Sequence, residues 1–412
     1  MQDAPRRELP GAFRAALPLL AGQAVVFAVA FLQRPALLAL LDPAEFAAFG
    51  VLSEALRWAA AVGGLGLATG VLRVALERPR ARRGLLEGSA LAAVAASTLV
   101  VAALLVVAPL VLGDGPAAHE FAVFGWRAPC IAATGIALAV LHASGRLRAK
   151  AALDAGEKAL VLVACIAGAA FDGLRGLVTA ALAASALAAV VSLRVARGGV
   201  AADDERPAGL VAAAFTVGRA QIVLTVVETA RRLVVLRVAE IRGASDVELG
   251  HLYAAIALTL PLVALPEMVA QGLYPRMADE RGERAGLDAS HARLLRELAL
   301  VGVPLLAAYG GLLHVALPLL RGGAYEGAVL PALALLPGVL AHGLTAHTGY
   351  VVLVRRRLGR AALASLAALV TGAGLAWLLT PAHGAVGGAV ALSAALGVRG
   401  VLLVVAARGG AS

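Results

Sequence analysis

Stretches of about twenty or more residues with almost no charge recur along this chain, separated by short polar breaks. Leu17 to Leu41 is the first, Phe46 to Leu72 the second, Leu85 to Leu112 the third and Phe121 to His142 the fourth. At about 1.5 Å per helical residue each can cross a hydrocarbon layer about 30 Å thick, where a backbone has to satisfy its own hydrogen bonds as a helix. The fold class that follows is all-α, a polytopic membrane protein of about twelve transmembrane helices. The 412 residues are 61% hydrophobic and 15% charged, with mean hydropathy +0.87, which is outside the range of soluble globular domains. No break is long enough for a separate soluble domain.

The breaks alternate in charge. Arg73, Arg78, Arg80, Arg82 and Arg83 follow the second run; Arg146, Arg148 and Lys150 follow the fourth; Arg194 and Arg197 follow the sixth; Arg355, Arg356, Arg357 and Arg360 follow the tenth. The opposite loops are poor in cations, and Asp114 to Glu120 has none. By the positive-inside rule the basic loops and both termini face the cytoplasm, and the number of spans is even. The net charge of +10 is therefore a topology signal, and nucleic acid is not an expected partner. Cys130 and Cys165 both fall inside apolar runs, which disfavours a disulfide framework.

The most polar central break, Gly198 to Pro207, divides the chain into an N-terminal six-helix bundle (1–197), a cytoplasmic linker (198–208) and a C-terminal six-helix bundle (209–412). The halves look related. Leu41 to Gly50 (LDPAEFAAFG) resembles Ala244 to Tyr253 (ASDVELGHLY), Arg73 matches Arg276, Lys150-Ala-Ala-Leu153 matches Arg360-Ala-Ala-Leu363, and Gly173-x-x-Gly176 matches Gly384-x-x-Gly387. Six helices per half gives both halves the same topology, and repeat-built transporters place their substrate site at the interface between repeats.

Charges within the spans are costly, about 2.5 to 3.5 kcal/mol for an Arg or Asp at a helix centre, so they normally face a polar cavity and find partners. Glu54 and Arg57 sit mid-span in the second run at a spacing that lets them pair. Arg34 either lines a cavity or snorkels, with Pro35 after it able to open the helix, and Arg127 is expected to snorkel beside Trp126. The seventh run carries Arg219, Glu228, Arg231, Arg232 and Arg237, with Glu228 reaching Arg231 and Arg232 at i+3 and i+4. That cluster is either a helix laced by internal salt bridges or a set of guanidiniums that hold an anion, since arginine stays protonated and its fork fits phosphate. Glu267, after Pro266, loosely mirrors Glu54 and either pairs with an arginine or takes a coupling proton or cation.

His342 and His347, five apart, do not share a helical face and have no Cys, Asp or Glu beside them, so no metal site is expected. There is no G-x-S-x-G, P-loop or H-E-x-x-H, the external loops are short, and nothing calls for a cofactor or an enzyme active site.

The chain also resembles a known family, the polysaccharide (O-antigen type) flippases of the multidrug/oligosaccharidyl-lipid/polysaccharide exporter superfamily. The resemblance is carried by Leu41 to Gly50 leading to Gly64 to Arg73 (GLGLATGVLR), Gly145 to Leu153 (GRLRAKAAL), Gly250 to Tyr253 leading to Leu273 to Arg276, and Gly384 to Ala389 (GAVGGA). It implies two six-helix bundles around a central cavity that alternates between inward- and outward-open states in a bacterial inner membrane. It implies a substrate of oligosaccharide on polyprenyl diphosphate, with Arg34, Arg57, Arg219, Arg231 and Arg232 as the cations that hold it. Polysaccharide-assembly proteins would be partners, with membrane lipid around the bundle. Glu54, Glu228 and Glu267 are left as charge-pairing residues or as carriers of a coupling H+ or Na+. The second reading is an ion-coupled small-molecule exporter on the same fold; the acidic first-helix residue on which cation-exporting members often rely is missing, since that run carries Arg34 and no Asp or Glu.

Overall fold

A computed structural model describes residues 9–107, 112, 116–198, 207–259, 262–263, 284–354 and 358–408. Among them every regular element is helical. In chain order these are α1 (Leu9–Leu40), α2 (Pro43–Gly63), α3 (Leu67–Glu77), α4 (Arg82–Val106), α5 (Pro116–Phe124), α6 (Arg127–Ala143), α7 (Leu147–Arg197), α8 (Pro207–Ile241), α9 (Asp246–Thr259), α10 (Arg284–Leu319), α11 (Val329–Val354) and α12 (Leu358–Arg408). Among the described residues six helices are long and apolar enough to cross a membrane, and the bent pair α5 and α6 makes a seventh span.

Two of these six are too long to be one span. At 1.5 Å per residue the 51 residues of α7 would run about 75 Å, more than twice the hydrocarbon thickness. Each is a hairpin: α7 turns at Asp172 and Gly173 and α12 at Gly384, where the backbone leaves helical geometry. Positions eight apart on a continuous helix lie about 12 Å apart, yet Gly168 packs on the backbone of Gly176, and Gly387 on that of Leu379. With α1, α8 and α9 this is the architecture of about twelve spans.

The second and eighth spans begin alike. The Asp42 side chain accepts from the Glu45 amide (2.8 Å) while Glu45 Oε2 accepts from the Asp42 amide (3.2 Å), a reciprocal cap with Pro43 at the first helical position. Ser245 and Glu248 repeat it at the start of α9. Each capping glutamate also lies over a hairpin turn: a β-carbon on Gly173 would meet Glu45 Oε1, and one on Gly384 would meet Glu248 Oε1. Both glycines have positive φ, +54° and +49°, which favours a residue without a side chain. The two segments of residues 41–50 and 244–253 thus occupy corresponding places and pack on one another.

The second span is broken. Between α2 and α3 the segment Gly64-Leu65-Gly66 takes Leu65 to φ +49° and Gly66 to +64°, leaving helical backbone inside an apolar stretch. Such breaks occur at membrane depth where protein or a polar cavity covers the freed groups. The upper piece α2 packs on α8 and α9, and the lower piece α3 on α8, so this one span faces the C-terminal part of the chain along its length.

Because lipid tails are as apolar as Leu, these contacts rely on close approach rather than on a hydrophobic drive. Gly66 lies on the backbone of Gly218 and Gly70 on that of Ala214 at the α3 end; Gly250 lies on the backbone of Pro43 at the other. That second end is also filled by rings. Phe46 is 5.2 Å from Tyr253 and 6.0 Å from Tyr325 between centroids, Phe49 is 6.3 Å from Phe124, and the buried Tyr325 hydroxyl donates to Leu41 O at 3.0 Å. Burial pushes the Tyr325 phenol up, so it remains the donor.

Candidate functional site

The charged centre lies between α1, α2, α8 and α9. Glu54 is 1% exposed, and its Oε2 is 3.3 Å from Arg57 Nη1 and 3.4 Å from Arg232 Nε. The i, i+3 pair of the second span is therefore made, and a third charge joins it from across the seam. Arg34 does not run to the membrane surface: its Nη1 donates to the Tyr253 hydroxyl at 2.9 Å, and its guanidinium lies 5.7 Å from the Phe49 centroid and 5.8 Å from that of Tyr253. Arg34, Glu54 and Arg57 from the first part of the chain thus meet Arg232 and Tyr253 from the second.

A second cluster adjoins it on α8, α11 and α12. Glu228 is ion-paired with Arg399 Nη2 and accepts from Ser365 Oγ at 3.3 Å, and Arg399 Nη1 is 3.5 Å from His342 Nδ1. The sequence spacing directed Glu228 to Arg231 and Arg232; the fold instead turns Arg232 across to Glu54 and brings Arg399 to Glu228. Arg231 is left between the clusters, 8% exposed, within electrostatic reach of Glu228, Arg399, Arg232 and Glu54. Its Nε and Nη1 have no hydrogen-bond partner. A buried donor without a partner costs about 1 to 3 kcal/mol and a charged one more, so an acceptor brought to Arg231 would relieve that cost. The centre holds the guanidiniums of Arg34, Arg57, Arg231, Arg232 and Arg399 against the carboxylates of Glu54 and Glu228, a surplus of three positive charges.

Arg219 stands apart. It lies exposed in the lower part of α8, with no ion pair or hydrogen bond among the described residues. Arg237 pairs with Glu240 near the other end of the same helix. Arg127 turns inward, donating to Ser185 Oγ at 3.0 Å and lying 4.7 Å over the Phe124 ring, whereas Trp126 beside it is exposed. Glu267 and Arg276 fall outside the described residues. Among the described residues no group of three or more His, Cys, Asp or Glu is placed to hold a metal ion.

Two members of the centre were not singled out in the sequence. Arg399 is a lone cation in the apolar run after Gly384, the same signal of a costly charge that marks Glu54. Tyr253 is the position that aligns with Gly50, where a large ring opposite no side chain is a cue to contact.

No protein-family model matches the sequence, and neither does any curated protein. Solved structures share the fold. An inward-facing multidrug resistance MATE family transporter of the MOP superfamily superposes with a TM-score of 0.69 at 13% identity, over 95% of this chain and 96% of that one. The lipid II flippase MurJ in an inward closed conformation gives 0.69 at 11% identity, over 93% and 86%. A MOP superfamily transporter from Pyrococcus furiosus, described by the reverse polarity of its binding pocket, gives 0.63 at 15% identity, over 96% and 93%. The chain has the all-helical fold of the MOP superfamily transporters.

Proposed function

We propose that the chain is a transporter that moves an oligosaccharide linked to polyprenyl diphosphate across the bacterial inner membrane by alternating access, for surface polysaccharide synthesis. Its two halves, 1–197 and 209–412, joined by 198–208, rock about the seam, with both termini in the cytoplasm. The observation that carries the reading is Arg231: a buried guanidinium with two unpartnered nitrogens, in a centre with excess positive charge, suits a diphosphate. Arg34, Arg57 and Arg232 complete the cradle, and an arginine fork gives phosphate two parallel hydrogen bonds. Glu54 holds Arg57 and Arg232 in place and lowers the cost of their burial. The work is binding and release, with no covalent step.

The alternative is an ion-coupled small-molecule exporter, favoured by the likeness to MATE family transporters. It needs a carboxylate free to take H+ or Na+. Glu54 and Glu228 are both engaged by arginines, so this reading rests on Glu267.

The test is to make Arg57→Ala and Arg231→Ala separately in the producing cell. Both are expected to abolish surface polysaccharide while protein remains in the membrane. Normal polysaccharide in both would remove the arginine cradle. In vesicles, movement of a small cationic drug driven by a proton or Na+ gradient, with none of lipid-linked sugar, would favour the exporter.

A further inference from the structure

Beside the seam lies an apolar pocket of about 510 Å³ lined by Leu65 and Leu67 of the second span, Gly88 and Ala92 of α4, and Val211 and Phe215 of α8. It bridges the two parts of the chain, since α3 and α4 belong to the first and α8 to the second. Its depth follows from the helices that line it. Gly88 and Ala92 stand about 9 to 15 Å along α4 from Arg82, and Val211 and Phe215 about 6 to 12 Å along α8 from Pro207. The pocket is therefore at hydrocarbon depth on the side of the basic loop Arg73 to Arg83.

Arg219 lies one helical turn beyond the pocket lining on α8. Val211, Phe215 and Arg219 are at i, i+4 and i+8 on α8, so they share one face of the helix. Arg219 stands one turn deeper than Phe215, about 18 Å along α8 from Pro207, exposed and without a partner among the described residues. A bare guanidinium at that depth wants an anion. A bilayer phospholipid that keeps its phosphate at the membrane surface would place only tail carbons there. A lipid whose phosphates have been drawn to mid-membrane depth would bring an anion to Arg219 and leave its chain against Phe215 and Leu65.

We propose that this pocket takes a section of the hydrocarbon chain of a polyprenyl diphosphate substrate, with Arg219 meeting its phosphates on the way to or from the central site. The inference rests on the proposed function for the substrate class. It is continuous with the seam: the wall beside the pocket is the contact of Gly66 with Gly218 and Gly70 with Ala214, which carries no long side chains. A chain can cross at this close backbone contact when the halves part, with Leu65, Leu67 and Phe215 beside it as apolar walls. Arg219 is then an entry residue rather than a member of the central cradle.

The test places a photoreactive benzoyl-phenylalanine at Phe215 in the full-length protein, in vesicles of bacterial phospholipid containing polyprenyl diphosphate without sugar. Irradiation is expected to give an adduct with the mass of the polyprenyl lipid, reduced about tenfold by Arg219→Ala. Adducts with diacyl phospholipid only, at the same yield in Arg219→Ala, would overturn the proposal. A second arm uses Ala92→Trp, which fills the pocket, and compares long-chain with short-chain lipid-linked sugar: transport of the long-chain form is expected to fall about tenfold with the short-chain form unchanged, and an equal fall in both would overturn the role of the chain. If wild-type protein gives the polyprenyl adduct and moves no lipid-linked sugar, the pocket stands and the proposed function fails.

Discussion

Gly50 lies against the ring of Tyr253 so closely that a β-carbon at position 50 would overlap it. The two residues are the last positions of the matching decapeptides 41–50 and 244–253, so corresponding points of the two segments face one another at the seam. One has no side chain and the other a ring that is 1% exposed, held by Arg34 on its hydroxyl.

That relationship makes Gly50→Val a probe of the seam. Overpacking a filled site costs about 1 to 3 kcal/mol when nothing can yield, and Tyr253 is enclosed by Phe46 and Phe49. The variant is expected to lower the thermal midpoint in detergent. It is also expected to raise labelling of a cysteine placed at Leu41 by a membrane-impermeant reagent, because the seam opens to relieve the overlap. Unchanged labelling together with an unchanged midpoint would show that the contact is not kept.

The ion pairs of Glu54 can be weighed by a double-mutant cycle. Glu54→Gln leaves Arg57 and Arg232 facing each other with no compensating charge, and about 1 to 3 kcal/mol of stability should be lost. Arg57, 36% exposed at its side chain, is less enclosed than Arg232 at 21%, so Arg57→Met should cost less than Arg232→Met. Glu54→Gln combined with Arg232→Met is expected to recover part of the loss, since it removes the charge left stranded. Strict additivity of the two single changes would show that they do not act as a pair.

Arg399 extends the test to the last span. Arg399→Met removes the cation paired with Glu228 and the guanidinium contacts to Ser365 and His342, and transport is expected to fall about tenfold, a loss of one charge-assisted contact. Arg399→Lys should not restore it, because one ammonium cannot replace a fork that addresses Glu228, Ser365 and His342 together. Full activity in Arg399→Met would assign the cluster to packing alone.

Much of the fold was legible because a membrane leaves little choice: a long apolar run is a helix. Glu54 with Arg57 was readable too, since i, i+3 neighbours on one helix need no knowledge of the rest. Glu228 shows where that reasoning stops. Its local partners at i+3 and i+4 were on the sequence, but Arg232 answers a carboxylate 178 positions away and Arg399 arrives from 171 positions away. Local spacing says which pairs are available; only packing says which are taken. Arg219 makes the same point, as an arginine on the same helix as Arg232 that the fold sends elsewhere.

The two ends of the broken second span are bonded unequally. At the α2 end rings interlock and hydroxyl groups tie Tyr253 and Tyr325 across the seam, whereas at the α3 end backbone merely rests on backbone at Gly66 and Gly70. Separating the first sacrifices aromatic contacts and hydrogen bonds; separating the second forfeits the dispersion of close backbone contacts and of aliphatic side chains such as Leu67, Val71 and Leu210. Under the alternating access proposed above, the unloaded molecule parts more readily on the side of the basic loops, and the opposite state needs a cargo that compensates for the broken aromatic latch.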